Sequence, residues 1–237
     1  MPPTELYSEG WLLRLVLDWF EAHRAANDHP LSFRPRALWF SEALLASRFL
    51  AESRSDRLAE SYTHADGVVG HFDMAPGARG EATVADGAEQ LVVVEAKLGS
   101  PLSKGVKNAK NYGQAARNVA CMAHMLDFKK RDPSSMDSLA FFVIAPESQI
   151  RSGIFEDFVT KPRIASQVEA RVAQYGGARD EWLETAFRPT LEAIDVGLLS
   201  WEGIIEIVEQ RDPDCELRSF YDQCLRFNPL RGTSNRP

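Results

Sequence analysis

Two charged side chains close a short apolar strand near the middle of the chain. In "LVVVEAK" at 91–97, four apolar residues run into Glu95, Ala96 and Lys97. Strand side chains alternate between faces, so Glu95 and Lys97 point the same way. A carboxylate there can bind a hard divalent cation such as Mg²⁺, and an ammonium beside it can orient a metal-bound water or offset charge on a phosphate. The spacing therefore indicates metal-assisted chemistry at a strand end.

A single carboxylate holds Mg²⁺ poorly, so a second acid from a neighbouring strand is expected. Asp66 begins the predicted strand "HADGVVGHFDM" at 64–74, and Asp73 lies near its end. If this strand runs antiparallel to "QLVVVEAK", its first residues face the last residues of that strand. Geometry then favours Asp66 as the neighbour of Glu95, with Asp73 the alternative near the far turn.

The elements that must position these residues follow from apolar spacing and turn residues. The order is helix, three strands, helix, strand, an α/β or α+β arrangement around one sheet. The predicted elements are helices over 4–24 and 35–52, strands over 64–74, 81–86 and 90–97, a helix over 104–128, a strand in "DSLAFFVIAP", helices near 162–176, 180–194, 201–211 and 213–227, and an edge strand in "IDVGLLS".

Composition sets the broad class of protein. The chain has 237 residues, 44% of them hydrophobic, and its longest apolar cluster, "LAFFVIA", is too short to cross a bilayer. Its three cysteines are too few and too scattered for a disulfide framework or a zinc site. We therefore expect a soluble cytoplasmic protein with no membrane partner. It is a single domain over 1–237, with an N-terminal helix in 1–34, a core over 35–146, a mainly helical cover over 147–237 and a frayed tail in "LRGTSNRP".

Charge is unevenly distributed along the sequence. The net charge of −7 argues against a protein that coats nucleic acid, but residues 96–126 contain no acid. Lys107, Lys110, Gln114 and Arg117 are spaced by 3, 4 and 3, which predicts one stripe on the helix over 104–128. The stripe faces either a phosphate backbone or solvent. Lys104 is expected in a loop over the site.

Asp66, the Glu95-Ala96-Lys97 strand end and "YGQAAR" on the next helix together resemble the PD-(D/E)XK nuclease superfamily, in an uncharacterised bacterial branch. The resemblance covers about residues 35–146. It implies a restriction endonuclease-like core, with a central mixed sheet flanked by helices and with helical additions at both ends. "HAD" stands here in place of the family's Pro-Asp pair.

The resemblance also implies roles for individual residues. Mg²⁺, or Mn²⁺ in its place, would be held by the carboxylates of Asp66 and Glu95 and the carbonyl of Ala96, with Lys97 as the catalytic lysine. The reaction would be hydrolysis of a phosphodiester bond, with DNA the expected partner. Two further matches are Glu42, for an acid on the helix before the sheet, and Gln114, for a glutamine on the following helix. The cations expected to bind nucleic acid are Lys104, Lys107, Lys110 and Arg117.

Two alternatives stay open at this point. The chain could be a catalytically inactive relative that binds nucleic acid or protein, or an unrelated α/β protein whose Glu95–Lys97 pair is an ordinary surface pair. His64 and His71 flank Asp66 in the sequence. Each could act as a general base or could be a hydrogen-bonded histidine of the strand. The sequence leaves exonuclease and endonuclease, and DNA and RNA, as open choices.

Overall fold

A five-stranded mixed sheet forms the centre of the computed structural model, which describes residues 1–24, 28–53, 55–75 and 80–228. Its strand order is β1-β2-β5-β6-β7; β1, β2 and β5 are antiparallel neighbours, while β5, β6 and β7 run parallel. A separate two-stranded sheet is formed by β3 and β4. The strands are β1 Leu38–Leu45, β2 Thr63–Gly70, β3 Phe72–Met74, β4 Ala82–Val84, β5 Gln90–Ala96, β6 Ser138–Ala145 and β7 Asp195–Ser200.

Helices cover both faces of this sheet, which confirms the predicted α/β class. Every residue of β5 is buried, and its side chains alternate between two apolar clusters. Val93 packs in the cluster that includes α3, α5 and α7, whereas Val92 and Val94 pack in the cluster that includes α2, α8 and α9. The helices are α1 Pro3–Leu6, α2 Glu9–Ala22, α3 Gln114–Phe128, α4 Glu147–Arg151, α5 Lys161–Ala173, α6 Asp180–Trp182, α7 Arg188–Ala193, α8 Trp201–Arg211 and α9 Leu217–Phe227.

The predicted helix over 35–52 is wrong, because this segment contributes strand β1. Its leucines and alanines suit a helix, but β1 pairs with β2 along its length, and such pairing overrides local preference. Arg36, at a φ of 64°, turns the chain into the strand. The observed order of helix, three strands, helix, strand is therefore α2, β1, β2, β5, α3, β6, and it begins at Glu9 rather than near residue 35.

The predicted helix over 104–128 is shorter than expected, since α3 begins only at Gln114. The preceding segment folds into turns, in which the backbones of Val106 and Ala109 exchange two hydrogen bonds of 3.0 Å. A Cβ on Gly105 would lie 2.2 Å from the carbonyl oxygen of Lys110, so only glycine fits there. Lys107 therefore lies in these turns, and the predicted helical stripe of cations does not form.

Strand β2 ends at Gly70, so the predicted strand over 64–74 is divided into β2 and β3. Gly70 has a φ of 141°, and a Cβ there would lie 2.1 Å from the carbonyl oxygen of Gln90. The chain turns at this glycine and enters the β3–β4 sheet, in which Asp73 pairs with Thr83. "IDVGLLS" forms β7 as predicted, at one edge of the main sheet.

The helices after residue 150 agree closely with the sequence predictions, and α8 matches the predicted helix over 201–211. The region over 180–194 combines α6, a π-helical turn at Leu183–Phe187 and α7. The predicted tail "LRGTSNRP" lies outside the described residues. Among the helices described, none combines the length and apolarity that a membrane crossing requires.

Candidate active site

Asp66 and Glu95 lie beside each other on adjacent strands. The register of β2 and β5 pairs Gly67 with Val94, and its next step sets Asp66 opposite Glu95. The Asp66 side chain reaches the end of β5, where its Oδ2 accepts a hydrogen bond of 2.7 Å from the backbone N–H of Ala96. Asp66, not Asp73, is thus the acid next to Glu95, as the antiparallel geometry favoured.

Glu95 is almost completely buried, at 1% exposed, and Lys97 is 7% exposed. The Lys97 amine donates a hydrogen bond to Glu95 Oε1. Burial, reinforced by the negative charge of Asp66, raises the pKa of the Glu95 carboxyl to about 8, although Lys97 opposes the shift. Burial disfavours the Lys97 ammonium, but the charge and hydrogen bond of Glu95 outweigh it and raise the pKa of Lys97. The Glu95 carboxylate and the Lys97 ammonium therefore stabilise each other.

Helix α3 begins at Gln114, beside the buried carboxyl group of Glu95. The Gln114 side-chain amide donates to Glu95 Oε1, and its carbonyl oxygen accepts a hydrogen bond of 3.1 Å from the backbone N–H of Ser103. One turn along α3, the fully buried Asn118 places its amide nitrogen 3.5 Å from Glu95 Oε2. Gln114 thus connects Glu95 to the loop over 98–113.

Glu42 lies on strand β1. The resemblance implied an acid on the helix before the sheet, so this prediction for Glu42 is wrong. The β1–β2 register sets it opposite Asp66. Its backbone is in the left-handed region, with a φ of 58°, and its side chain is exposed. Its carboxylate lies above Gly10 of α2, with Oε1 3.7 Å from the position a Cβ would take. Glu42 therefore borders the site from the outer strand.

The acid that the preceding helix does supply is Glu9, in the first turn of α2. Its Oε2 accepts a hydrogen bond of 2.9 Å from the backbone N–H of Leu98, directly after Lys97. Burial raises the pKa of Glu9, the charge of Lys97 opposes that shift, and Asp66 and Glu42 add to it. Sequence reasoning missed this residue; the available signal was an acid in the first turn of the predicted helix over 4–24.

The predicted phosphate-binding cations divide into two groups. Lys104, Lys107 and Lys110 are exposed in the loop before α3. Arg117 instead points inward: its Nε lies 3.7 Å from Glu60 Oε2, and only 13% of its side chain is exposed. Its guanidinium also donates a hydrogen bond of 3.2 Å to Thr63. The charge of Arg117 is thus used inside the protein, which contradicts its assignment to a nucleic-acid surface.

The two histidines beside the Asp66 strand differ in their surroundings. His71 Nδ1 accepts from the backbone N–H groups of Glu89 and Gln90, both at 3.2 Å, and Nε2 lies 2.9 Å from the Pro35 carbonyl oxygen. These contacts make His71 a structural residue that joins β2 to β5. His64 is exposed at the start of β2.

The chemistry available at this end of the sheet is that of several carboxylates around one ammonium. The group consists of Glu9, Glu42, Asp66, Glu95 and Lys97, with Gln114 as an amide donor. Within the part of the chain that the structure describes, no set of three or more Asp, Glu, His or Cys side chains is arranged to hold a metal ion. Comparisons with family models, curated proteins and solved structures found no match to this chain.

Proposed function

We propose that the chain is a Mg²⁺-dependent nuclease that hydrolyses phosphodiester bonds, with DNA as the expected substrate. One observation carries the proposal: the carboxylates of Asp66 and Glu95 meet at the end of β5, and the ammonium of Lys97 lies against them. Burial and the negative charge of Asp66 raise the pKa of Glu95, and a divalent cation would relieve that repulsion. An ordinary surface pair would be exposed, whereas this pair is buried.

The order of elements supports a restriction endonuclease-like core. That core has the order helix, three strands, helix, strand. Here α2, β1, β2, β5, α3 and β6 follow that order, and the β3–β4 sheet is an insertion between β2 and β5. Asp66 and Glu95 occupy the second and third of these strands, which are the positions that the resemblance implies for metal ligands.

The donor set fits Mg²⁺, which uses one or two protein carboxylates, waters and substrate phosphate oxygens rather than a complete protein cage. Asp66 and Glu95 would hold the ion with the Ala96 carbonyl, and Glu9 is a further carboxylate beside them. Bound Mg²⁺ would lower the pKa of a coordinated water and stabilise charge on the phosphate. A site of this kind needs no preformed set of three acids.

The residues of the chain itself would bind, orient and stabilise charge. Lys97, held as an ammonium, can donate to a phosphate oxygen as negative charge develops. Gln114 and Asn118 fix the rotamer of Glu95 through its two oxygens. The hydrogen bond from Leu98 keeps Glu9 beside Lys97. These contacts hold the charged groups at the end of β5 before a substrate binds, and such preorganised groups are a major source of electrostatic catalysis.

The direct test incubates the purified protein with linear, circular and single-stranded DNA and with RNA, each with Mn²⁺ or Mg²⁺. The expected result is metal-dependent cleavage that Lys97→Ala abolishes while its circular dichroism stays that of the wild type. Lys130→Ala, which removes an exposed amine just beyond the far end of α3, is the matched control and should still cut. Absence of cutting of all four substrates by the wild type would contradict the proposal.

A second candidate is the catalytically inactive relative that binds nucleic acid. The observation in its favour is that the Lys97 amine and the Gln114 amide both bind Glu95 Oε1, so this carboxylate is satisfied without a metal. Such a protein would retain an affinity for nucleic acid that falls steeply with salt, but it would never cut.

A further inference from the structure

A groove adjoins the candidate active site on the side of α2. Its volume is about 720 Å³, within the range of roughly 300–1,000 Å³ that is usual for ligand pockets. Glu9 and Leu98 form one end, and this is the same pair whose hydrogen bond ties α2 to the end of β5. A nucleic-acid strand whose reacting phosphate lies at Lys97 would therefore pass directly into the groove.

The walls of the groove suit a base and a sugar better than a phosphate. Leu98, Pro101 and Phe227 supply apolar surface, and Ser8 and Ser100 supply hydroxyls. Ser8 precedes α2 but its hydroxyl makes no capping bond to the helix, so it can bind a ligand. Apart from Glu9, the lining residues carry no charge.

An aromatic ring forms the far wall. Phe227, at the end of α9, is partly exposed and stacks on Tyr7, with ring centroids 5.4 Å apart and planes 11° apart. Tyr7 also contacts Phe220, so the ring pair is held in place from behind. The exposed Arg226 has its guanidinium over the Phe227 ring, 5.5 Å from the ring centroid, which places a cation beside this aromatic pair. Aromatic rings flanked by cations are how proteins bind unstacked bases of single strands.

We infer that this groove binds an unpaired nucleotide next to the scissile phosphate, so that the substrate is a single-stranded or frayed end of a polynucleotide. The inference rests on the proposed function, since the reacting phosphate defines where the groove begins. A fully paired duplex keeps its bases stacked and presents only its backbone to such a groove. The chain would accordingly prefer single strands and ends over closed duplex.

The test measures binding apart from cleavage, in the Lys97→Ala background with Mg²⁺. The probe is a short single-stranded oligodeoxynucleotide containing 2-aminopurine, whose fluorescence is quenched when the base stacks, with a blunt hairpin of the same composition for comparison. We expect quenching by the single strand and a roughly tenfold weaker affinity in Phe227→Ala. Ser100→Trp, which fills the groove from an exposed position, should weaken binding similarly.

Ser166→Trp, at an exposed position on α5, is the matched control and should bind as the parent does. Circular dichroism checks that each variant is folded, and Ser100→Trp tests the groove without removing a packed ring. Single-strand binding that both groove variants leave unchanged would overturn the inference, whether or not the wild type cuts. Cleavage of closed duplex as fast as of single strands would also overturn it while leaving the nuclease proposal intact. Absence of both binding and cleavage would overturn both.

Discussion

The carboxylate of Glu9 accepts a hydrogen bond from the backbone N–H of Leu98, at 2.9 Å and across 89 positions of sequence. This bond fixes the beginning of α2 to the end of β5 immediately after Lys97. The bond holds Glu9 near Asp66 and Lys97, and the charges of these two residues act on the pKa of Glu9. Glu9 therefore has both a structural contact and an electrostatic one, and substitution can separate them.

Glu9→Gln keeps the shape of the side chain and an oxygen that can accept from Leu98, but it removes the negative charge. We expect the folded structure to survive and the affinity for Mn²⁺ to fall several-fold, measured by isothermal titration calorimetry. Glu5→Gln, at an exposed acid of α1, is the control and should change neither. Unchanged Mn²⁺ affinity in Glu9→Gln would limit Glu9 to its structural contact.

Gln114→Met retains the length of the side chain and removes both hydrogen bonds, to Glu95 and from Ser103. Because Glu95 then loses a positioning contact, we expect kcat for cleavage to fall about tenfold, which is less than the roughly hundredfold or more that a positioned acid or base contributes, with KM little changed. Gln223→Met, on α9, is the control. A rise in KM without a fall in kcat would indicate that the loop, rather than Glu95, depends on Gln114.

Arg117→Met should lower stability rather than nucleic-acid affinity, because Arg117 neutralises Glu60 inside the protein. Removal of one partner of a buried pair costs about 3 kcal/mol, which urea unfolding would measure. The double variant Arg117→Met with Glu60→Gln should recover part of that loss, since the unpaired charge is then gone. An Arg117→Met protein of wild-type stability would contradict this assignment of Arg117 to the interior.

Lys107→Ala and Lys110→Ala, in contrast, remove exposed amines. We expect these variants to reduce the salt dependence of nucleic-acid binding and to leave the stability of the protein unchanged.

His29 predicts how stability changes with pH. Burial lowers its pKa from 6.5 to about 4, and its ring lies beside Phe20 and accepts a hydrogen bond of 3.2 Å from Leu31. Between these two values the unfolded chain takes up a proton that the folded chain does not. The contribution of neutral His29 is therefore complete above pH 6.5 and is lost as the pH falls towards 4.

Urea unfolding of wild type and His29→Gln at pH 7 and pH 5 measures this contribution. The loss of stability on acidification should be smaller in the variant. An equal loss in both proteins would assign the acid sensitivity to other groups.

The positions of Glu95, Lys97 and Asp66 could be predicted from the sequence because they depend on the geometry of single strands and of strand pairs. Alternation along a strand sets Glu95 and Lys97 on one face, and antiparallel pairing sets Asp66 opposite Glu95. The region "LWFSEALL" could not be assigned in this way, since its composition suits a helix and only pairing with β2 makes it a strand. Glu9 was missed for a related reason: nothing in the local sequence connects α2 to Leu98.

Mn²⁺ titration of four proteins tests whether Asp66 and Glu95 share a divalent cation. These are the wild type, Asp66→Ala, Glu95→Ala and Asp73→Ala, with Asp73 as the exposed acid of the separate β3–β4 sheet. We expect saturable Mn²⁺ binding by the wild type and Asp73→Ala, and loss of this binding in Asp66→Ala and Glu95→Ala. Equal binding by all four proteins, or loss only in Asp73→Ala, would contradict this expectation.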